Sequence, residues 1–151
     1  MRQPRAIVGL FVAAAFFVLA CSSFGQTSRA WTAPKAGVWA VKAKDEEGTK
    51  WSGRLHLERR SARGPRIRYR GYFYWISGDH ATSGNEYFSG RFDRRSGRLW
   101  LHGYRARSIH GELGTGNYRA SGRRGRQLLR GTWSGQDSIP GTWSAKWKSA
   151  R

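Results

Sequence analysis

The chain is predicted to be all-β: a small antiparallel meander barrel, or a tightly curved sandwich, of eight or nine strands behind an N-terminal signal segment. Three observations predict this. A five-residue unit (large apolar, any, Gly, any, large apolar) recurs along the chain, six times in full. Around it, apolar and polar residues alternate with period two, which is the antiparallel strand signature with one polar face. Clusters of turn residues separate the runs, and no helical period follows the N-terminal segment.

The order of segments begins with export. Arg2 and Arg5 precede an uncharged, apolar run from Ala6 to Ala20. Those 15 residues are fewer than the roughly 20 a permanent spanning helix needs, and the basic start fits a secretory signal peptide. Residues 1–20 are therefore read as the signal, with a cut as late as residue 30. Val18-Leu19-Ala20-Cys21 resembles the lipobox of bacterial lipoproteins, which would make Cys21 the acylated residue. Ordinary cleavage after Ala20, Gly25 or Ala30 is the equal alternative. Cys21 is the only cysteine, so the domain holds no internal disulfide and no cysteine-based zinc site or nucleophile. Residues 21–36 lack periodicity and are read as a flexible tether. Residues 37–151 form the barrel domain, long enough to bury its own core.

The repeats place the strands. Full copies are Trp51-Ser52-Gly53-Arg54-Leu55, Tyr69-Arg70-Gly71-Tyr72-Phe73, Phe88-Ser89-Gly90-Arg91-Phe92, Ile109-His110-Gly111-Glu112-Leu113, Leu129-Arg130-Gly131-Thr132-Trp133 and Ile139-Pro140-Gly141-Thr142-Trp143. A spacing of two puts each glycine on the same face as its apolar pair. Glycine weakens a strand, so its recurrence needs a geometric cause. A closing sheet supplies one, because an inward glycine lets the strand bend while a neighbouring aromatic ring covers the bare backbone. Turns are predicted at Asp45–Gly48, Ser61–Pro65, Arg94–Gly97 and Gly122–Gly125, with a longer loop at 78–85.

Gly37-Val38-Trp39, at the head of the first strand, is similar to the G-x-W that opens lipocalin barrels. Gly131-Thr132-Trp133-Ser134-Gly135 resembles strand motifs of avidin-type barrels. Both belong to the calycin-like barrels, and the resemblance implies eight strands with a small ligand held in the mouth. It carries over no particular ligand.

Two surfaces are candidates for function. Trp39, Trp51, Trp75, Trp133 and Trp143 are predicted inward, where they either line a ligand pocket or simply fill the core. Outside, 28 Lys+Arg stand against 9 Asp+Glu, a net charge of +19, which the loss of Arg2 and Arg5 would lower to +17. Arg66, Arg68 and Arg70 share one strand face, and Arg54 and Arg91 are outward on neighbouring strands. Arginine suits phosphate, sulfate and carboxylate groups. For an exported chain the matching partners are an anionic polysaccharide, lipopolysaccharide or an anionic membrane surface, rather than nucleic acid.

No phosphate loop, serine elbow, metal-spaced histidine pair or cofactor motif is present in the sequence. Asp79-His80 could be half of an acid/base pair, but no nucleophile accompanies it. The expectation is an exported bacterial envelope protein without enzymatic activity or cofactor, in the periplasm, on the outer membrane or outside the cell. It would act as a binding module for an anionic envelope polymer or a small ligand. The alternative is a structural or accessory envelope protein without a soluble ligand.

Overall fold

Eight strands follow one another in sequence order and close on themselves. They are β1 (Gly37–Asp45), β2 (Lys50–Arg63), β3 (Arg66–Ser77), β4 (Ser83–Asp93), β5 (Arg98–His110), β6 (Asn117–Arg123), β7 (Arg126–Ser134) and β8 (Gly141–Ser149). Each pairs antiparallel with its sequence neighbour, and β8 returns to β1, giving a closed meander. The protein is described by a computed structural model over residues 31–123, 126–135 and 138–150. The signal segment, Cys21 and the tether up to residue 30 lie outside the described residues, as does part of the Gly122–Gly125 turn.

Strand register answers why glycine recurs two residues before tryptophan. The two GTW triplets lie antiparallel on β7 and β8, so Gly131 faces Trp143 and Trp133 faces Gly141, with Thr132 opposite Thr142 between them. The same exchange runs around the barrel. Trp75 sits between Gly53 and Gly84, and Phe88 between Gly71 and Gly103. The bare backbone lets neighbouring strands approach closely. A Cβ on Gly53, Gly71 or Gly131 would collide with the carbonyl of Tyr74, His56 or Arg119 on the adjacent strand. The obstacle is thus neighbouring backbone, joined at Gly71 by the Phe88 ring.

The alternation directs the core. Trp39, Leu55, Ile67, Phe73, Phe88, Phe92 and Leu99 are wholly buried, and Tyr69, Trp75, Trp143 and Leu101 nearly so. In the middle of the barrel Phe73 stacks on Trp75 at 5.0 Å, while Trp143 meets both Phe73 and Tyr118 edge-on at 5.7 Å. Offset and edge-to-face pairs are the preferred aromatic geometries.

Four local expectations differ from the structure. The Ile109–Leu113 repeat runs out of β5 into a loop, with Ile109 exposed and Gly111 at a left-handed φ of 58°. β2 continues through the predicted Ser61–Pro65 turn to Arg63, leaving a tight reversal at Gly64, whose φ of 55° is left-handed. A register shift between Arg59 and Ser61 absorbs an extra residue and keeps the long arm paired. The loop predicted at 78–85 spans only 78–82, because Ser83 and Gly84 already pair with Ile76 and Trp75.

The largest difference is at residues 31–36, which are laid across one end of the barrel. Trp31 donates its backbone N–H to Arg94 (2.8 Å) and its ring covers Gly97. The Tyr69 hydroxyl donates to the Pro34 carbonyl (2.7 Å), Trp39 Nε1 to Lys35 (3.0 Å) and Trp147 Nε1 to Ala36 (3.2 Å). Absence of periodicity suggested a tether. The segment instead supplies carbonyls to two buried rings, Trp39 and Tyr69, and to the half-buried Trp147, an arrangement that needs no period.

Candidate functional site

The opposite end is framed by loops 46–49, 78–82 and 111–116 with residues 138–140, and there the barrel is hollow. A cavity of about 160 Å³ is lined by Ala43 and Asp45 of β1, Trp51, Trp75, Glu86, Tyr118 and Trp133 from the following strands, and residues of the upper loops including Glu112, Leu113, Ser138 and Ile139. Its volume is below the roughly 300–1,000 Å³ of pockets for drug-sized molecules, and close to the ~150 Å³ that holds benzene in an engineered cavity. The aromatic layer of Phe73, Tyr118 and Trp143 underlies it.

Glu86 is the chemical centre of this cavity. It is 1 % exposed, on an inward position of β4. Its carboxylate accepts hydrogen bonds from Gly116 N (2.7 Å), Trp75 Nε1 (3.2 Å) and the Tyr118 hydroxyl. Gly103 on β5 makes the room, since a Cβ there would overlap the Glu86 Oε1 atom. Burial raises the Glu86 pKa above the usual glutamate value, against the pull of the Tyr118, Gly116 and Trp75 donors. The Tyr118 hydroxyl is pushed well above its ordinary value by burial and then by the neighbouring Glu86 charge.

A second carboxylate lies at the rim. Asp45, 6 % exposed, accepts from Thr49 N (2.8 Å) and from Trp51 Nε1 (3.1 Å). It therefore ties the β1–β2 turn and orients a cavity-lining indole at once. The Ser138 hydroxyl is buried against the same cavity and has no hydrogen-bond partner among the described residues.

The five candidate tryptophans divide between two environments. Trp51, Trp75 and Trp133 line the cavity. Trp39 lies toward the closed end, and Trp143 is in the aromatic layer with its indole N–H donating to Thr132 O. Sequence reasoning missed Glu86, Tyr118 and Asp45. A signal for Glu86 existed: the inward series Gly84, Glu86, Phe88, Gly90, Phe92 contains one carboxylate among apolar residues and glycines.

All five candidate arginines are exposed. Register places Arg68 directly opposite Arg91 and Arg66 opposite Asp93. The Arg91 guanidinium lies over the Trp100 ring at 5.0 Å, and Arg70 is paired with Glu58 at 3.0 Å. Arg54 stands apart, opposite Tyr74. Asp79 bonds the Ser77 hydroxyl and Ala81 N–H, so its carboxylate serves the loop, and those two bonds lower its pKa. Neighbouring His80 is exposed with a φ of 61°. No group of three potential metal ligands converges among the described residues.

No protein-family model and no curated protein matches the chain. Solved structures do match in fold. A redesigned β-barrel, mFAP1, bound to DFHBI, superposes with a TM-score of 0.56 at 12 % identity, covering 74 % of this chain and 94 % of that one. EF1p2_mFAP2b bound to DFHBI gives 0.50 at 14 % identity, covering 75 % and 93 %. At such identities the likeness is one of architecture. This chain is similar to small, closed, eight-stranded antiparallel barrels.

Proposed function

We propose that this protein is a non-catalytic binding module that takes a small ligand into the open end of its barrel. The observation that carries the reading is the cavity itself: an aromatic hollow with one buried carboxylate held by three donors. Interiors normally fill themselves to crystal-like density, and below the cavity the side chains of Trp39, Leu55, Ile67, Phe88, Phe92 and Leu99 are wholly buried. A hollow confined to one end, with convergent polar groups and a perturbed carboxyl, is the usual form of a binding site. The resemblance to calycin-like barrels, which hold small ligands in the mouth, supports the same reading. The basic start, the apolar run to Ala20 and the lipobox-like Val18–Cys21 support reading it as an exported bacterial envelope protein, anchored by lipid if Cys21 is acylated.

The test uses the indole N–H resonances as position-specific reporters. Small aromatic and aliphatic fragments should shift Trp51, Trp75 and Trp133 and leave Trp39 and Trp143 in place. Fragments that bind without moving any cavity indole, or none that bind at all, would overturn the reading.

A second reading rests on the Arg68–Arg91 pair. Like charges directly opposite each other on a sheet are destabilising, and a bridging anion would relieve them. On this reading the outer wall binds an anionic polysaccharide, lipopolysaccharide phosphate or anionic membrane surface. Replacing Arg66, Arg68 and Arg91 with serine should then weaken binding to heparin and flatten its salt dependence, which reports the number of neutralised charges. A control triple at Arg94, Arg95 and Arg98 changes net charge equally. Equal losses from both triples would reduce the effect to diffuse charge and remove the site.

A further inference from the structure

We infer that the ligand of the cavity is a small organic cation, a protonated amine or quaternary ammonium with a compact apolar body. This rests on the small-ligand reading above and names its chemistry. The chain carries 28 basic residues against 9 acidic ones, yet among the described residues no lysine or arginine lines the cavity, while Asp45, Glu86 and Glu112 all do.

Among the described residues, none of these three carboxylates is joined to a basic side chain, and the ion pair between Arg70 and Glu58 lies on the outer wall. A buried carboxylate without a countercharge is costly, and hydrogen bonds only partly offset it. Glu86 has its three donors, all from neutral groups. A bound cation would supply the missing charge.

The rings point the same way. Trp51, Trp75, Tyr118 and Trp133 line the cavity, and aromatic faces attract ammonium groups, most strongly when desolvated. Trp51 and Trp75 both donate their N–H to carboxylates, which pushes negative charge toward the rings. Rings with acidic groups at their edges form a cage for a cation, whereas an anion there would meet Glu86 directly. The positive outer wall does not reverse this. Its charges are solvated, and screening limits their reach to roughly 8 Å at physiological salt.

An isosteric series separates charge from shape. Choline, 3,3-dimethylbutan-1-ol and 3,3-dimethylbutanoate share a branched body and differ in charge. Each is titrated into the protein at pH 8, with the indole resonances of Trp51, Trp75 and Trp133 as readout. Choline should bind at least tenfold more tightly than the alcohol, and the carboxylate should not bind. Glu86→Gln should bring choline and the alcohol to within about threefold of each other. Glu112→Gln, at an exposed rim position that tolerates change, should lower choline affinity severalfold and leave the alcohol unaffected, so the inference survives even if Glu86→Gln fails to fold. Equal binding of choline and the alcohol would sink the cation while leaving a small-ligand site standing. Preference for the carboxylate would do the same. Silence of all three probes would also overturn the cation, and the uncharged fragments of the previous test then decide whether any pocket ligand exists.

Discussion

Both ends of this barrel present the same donors, indole N–H and tyrosine hydroxyl, and satisfy them with different acceptors. At the closed end Trp39, Tyr69 and Trp147 donate to the backbone carbonyls of Lys35, Pro34 and Ala36. At the open end Trp51 donates to Asp45, while Trp75 and Tyr118 donate to Glu86. A neutral carbonyl arrives with a chain segment attached, and that segment plugs the barrel. A carboxylate arrives on its own strand, brings a charge and leaves the space above it empty. The difference between a stopper and a socket thus lies in the acceptor, and one period-two pattern accommodates both.

The largest expected effect abolishes the comparison by breaking the closure on which both ends depend. Gly131→Val would drive a side chain into the Arg119 carbonyl and the Ala120 backbone. Overpacking commonly costs about 1–3 kcal/mol, and a clash with backbone rather than a movable ring places this variant at or above the top of that range. Strand propensity alone predicts the opposite sign, since valine is the better strand former. Denaturant midpoints discriminate, and an unchanged or raised midpoint would overturn the close-approach account.

Next comes a change confined to the closed end. Trp31→Ala uncovers Gly97 and removes a partly buried ring from the stopper. Full burial of such a ring is worth about 3–5 kcal/mol, so a partly buried one should cost about 2 kcal/mol. The indole resonances of Trp51 and Trp75 should stay where they are. Movement there would mean that the ends are coupled and that the comparison is false.

How much of this was legible depends on which physical rule placed each residue. Alternation located the buried rings of β3 and β4, and the glycine repeat located the closing strands, because both follow from side chains taking turns across a sheet. Register was not legible, so the reciprocal Gly131–Trp143 and Trp133–Gly141 pairs could not be read from two GTW triplets ten residues apart. The stopper was invisible for another reason: its hydrogen bonds come from backbone carbonyls, which every residue carries. The cavity was half legible. Trp51, Trp75 and Trp133 were on the inward list, but nothing in the pattern separates them from Trp39 and Trp143, since the distinction is height along the barrel axis. Glu86 shares the inward alternation of β4, but a single acid in such a series does not reveal the Trp75, Gly116 and Tyr118 donors that the folded barrel brings to it.

A smaller effect tests the donors at the open end. Tyr118→Phe removes one hydrogen bond to a charged group, worth about 1.5–3 kcal/mol, and relieves the burial of a phenol hydroxyl. The net loss should be about 1–2 kcal/mol. The Glu86 pKa should rise further, because the ionised form loses a donor. Carboxyl-carbon NMR titration reads it directly, and a fall in that pKa would show that the phenol does not support the carboxylate.

The smallest effect is the pH dependence that Glu86 imposes on the ligand-free barrel. Burial holds its pKa above the ordinary glutamate value in the folded chain, so the folded state grips the proton more tightly than the unfolded one. Its contribution to stability is fully present below the unfolded pKa, about 4.3, and is lost as pH rises through the folded pKa. Asp79 has the opposite sign: its lowered pKa gives stability above the unfolded value that is lost on acidification. Subtracting the Glu86→Gln curve from the wild-type curve cancels Asp79 and leaves Glu86. The glutamine amide cannot accept from Trp75 Nε1 and Gly116 N at once through both of its terminal atoms, but that loss is constant with pH and only offsets the difference. Wild-type stability relative to Glu86→Gln should therefore decline from pH 4 upward and level off once the folded carboxyl has ionised. Each tenfold difference in proton affinity between the two states sets about 1.4 kcal/mol of that decline. Saturating choline should flatten it by favouring the ionised form in the folded chain. A difference curve that rises with pH would mean that the three donors outweigh burial, and the open end would then hold a carboxylate already content without a cation.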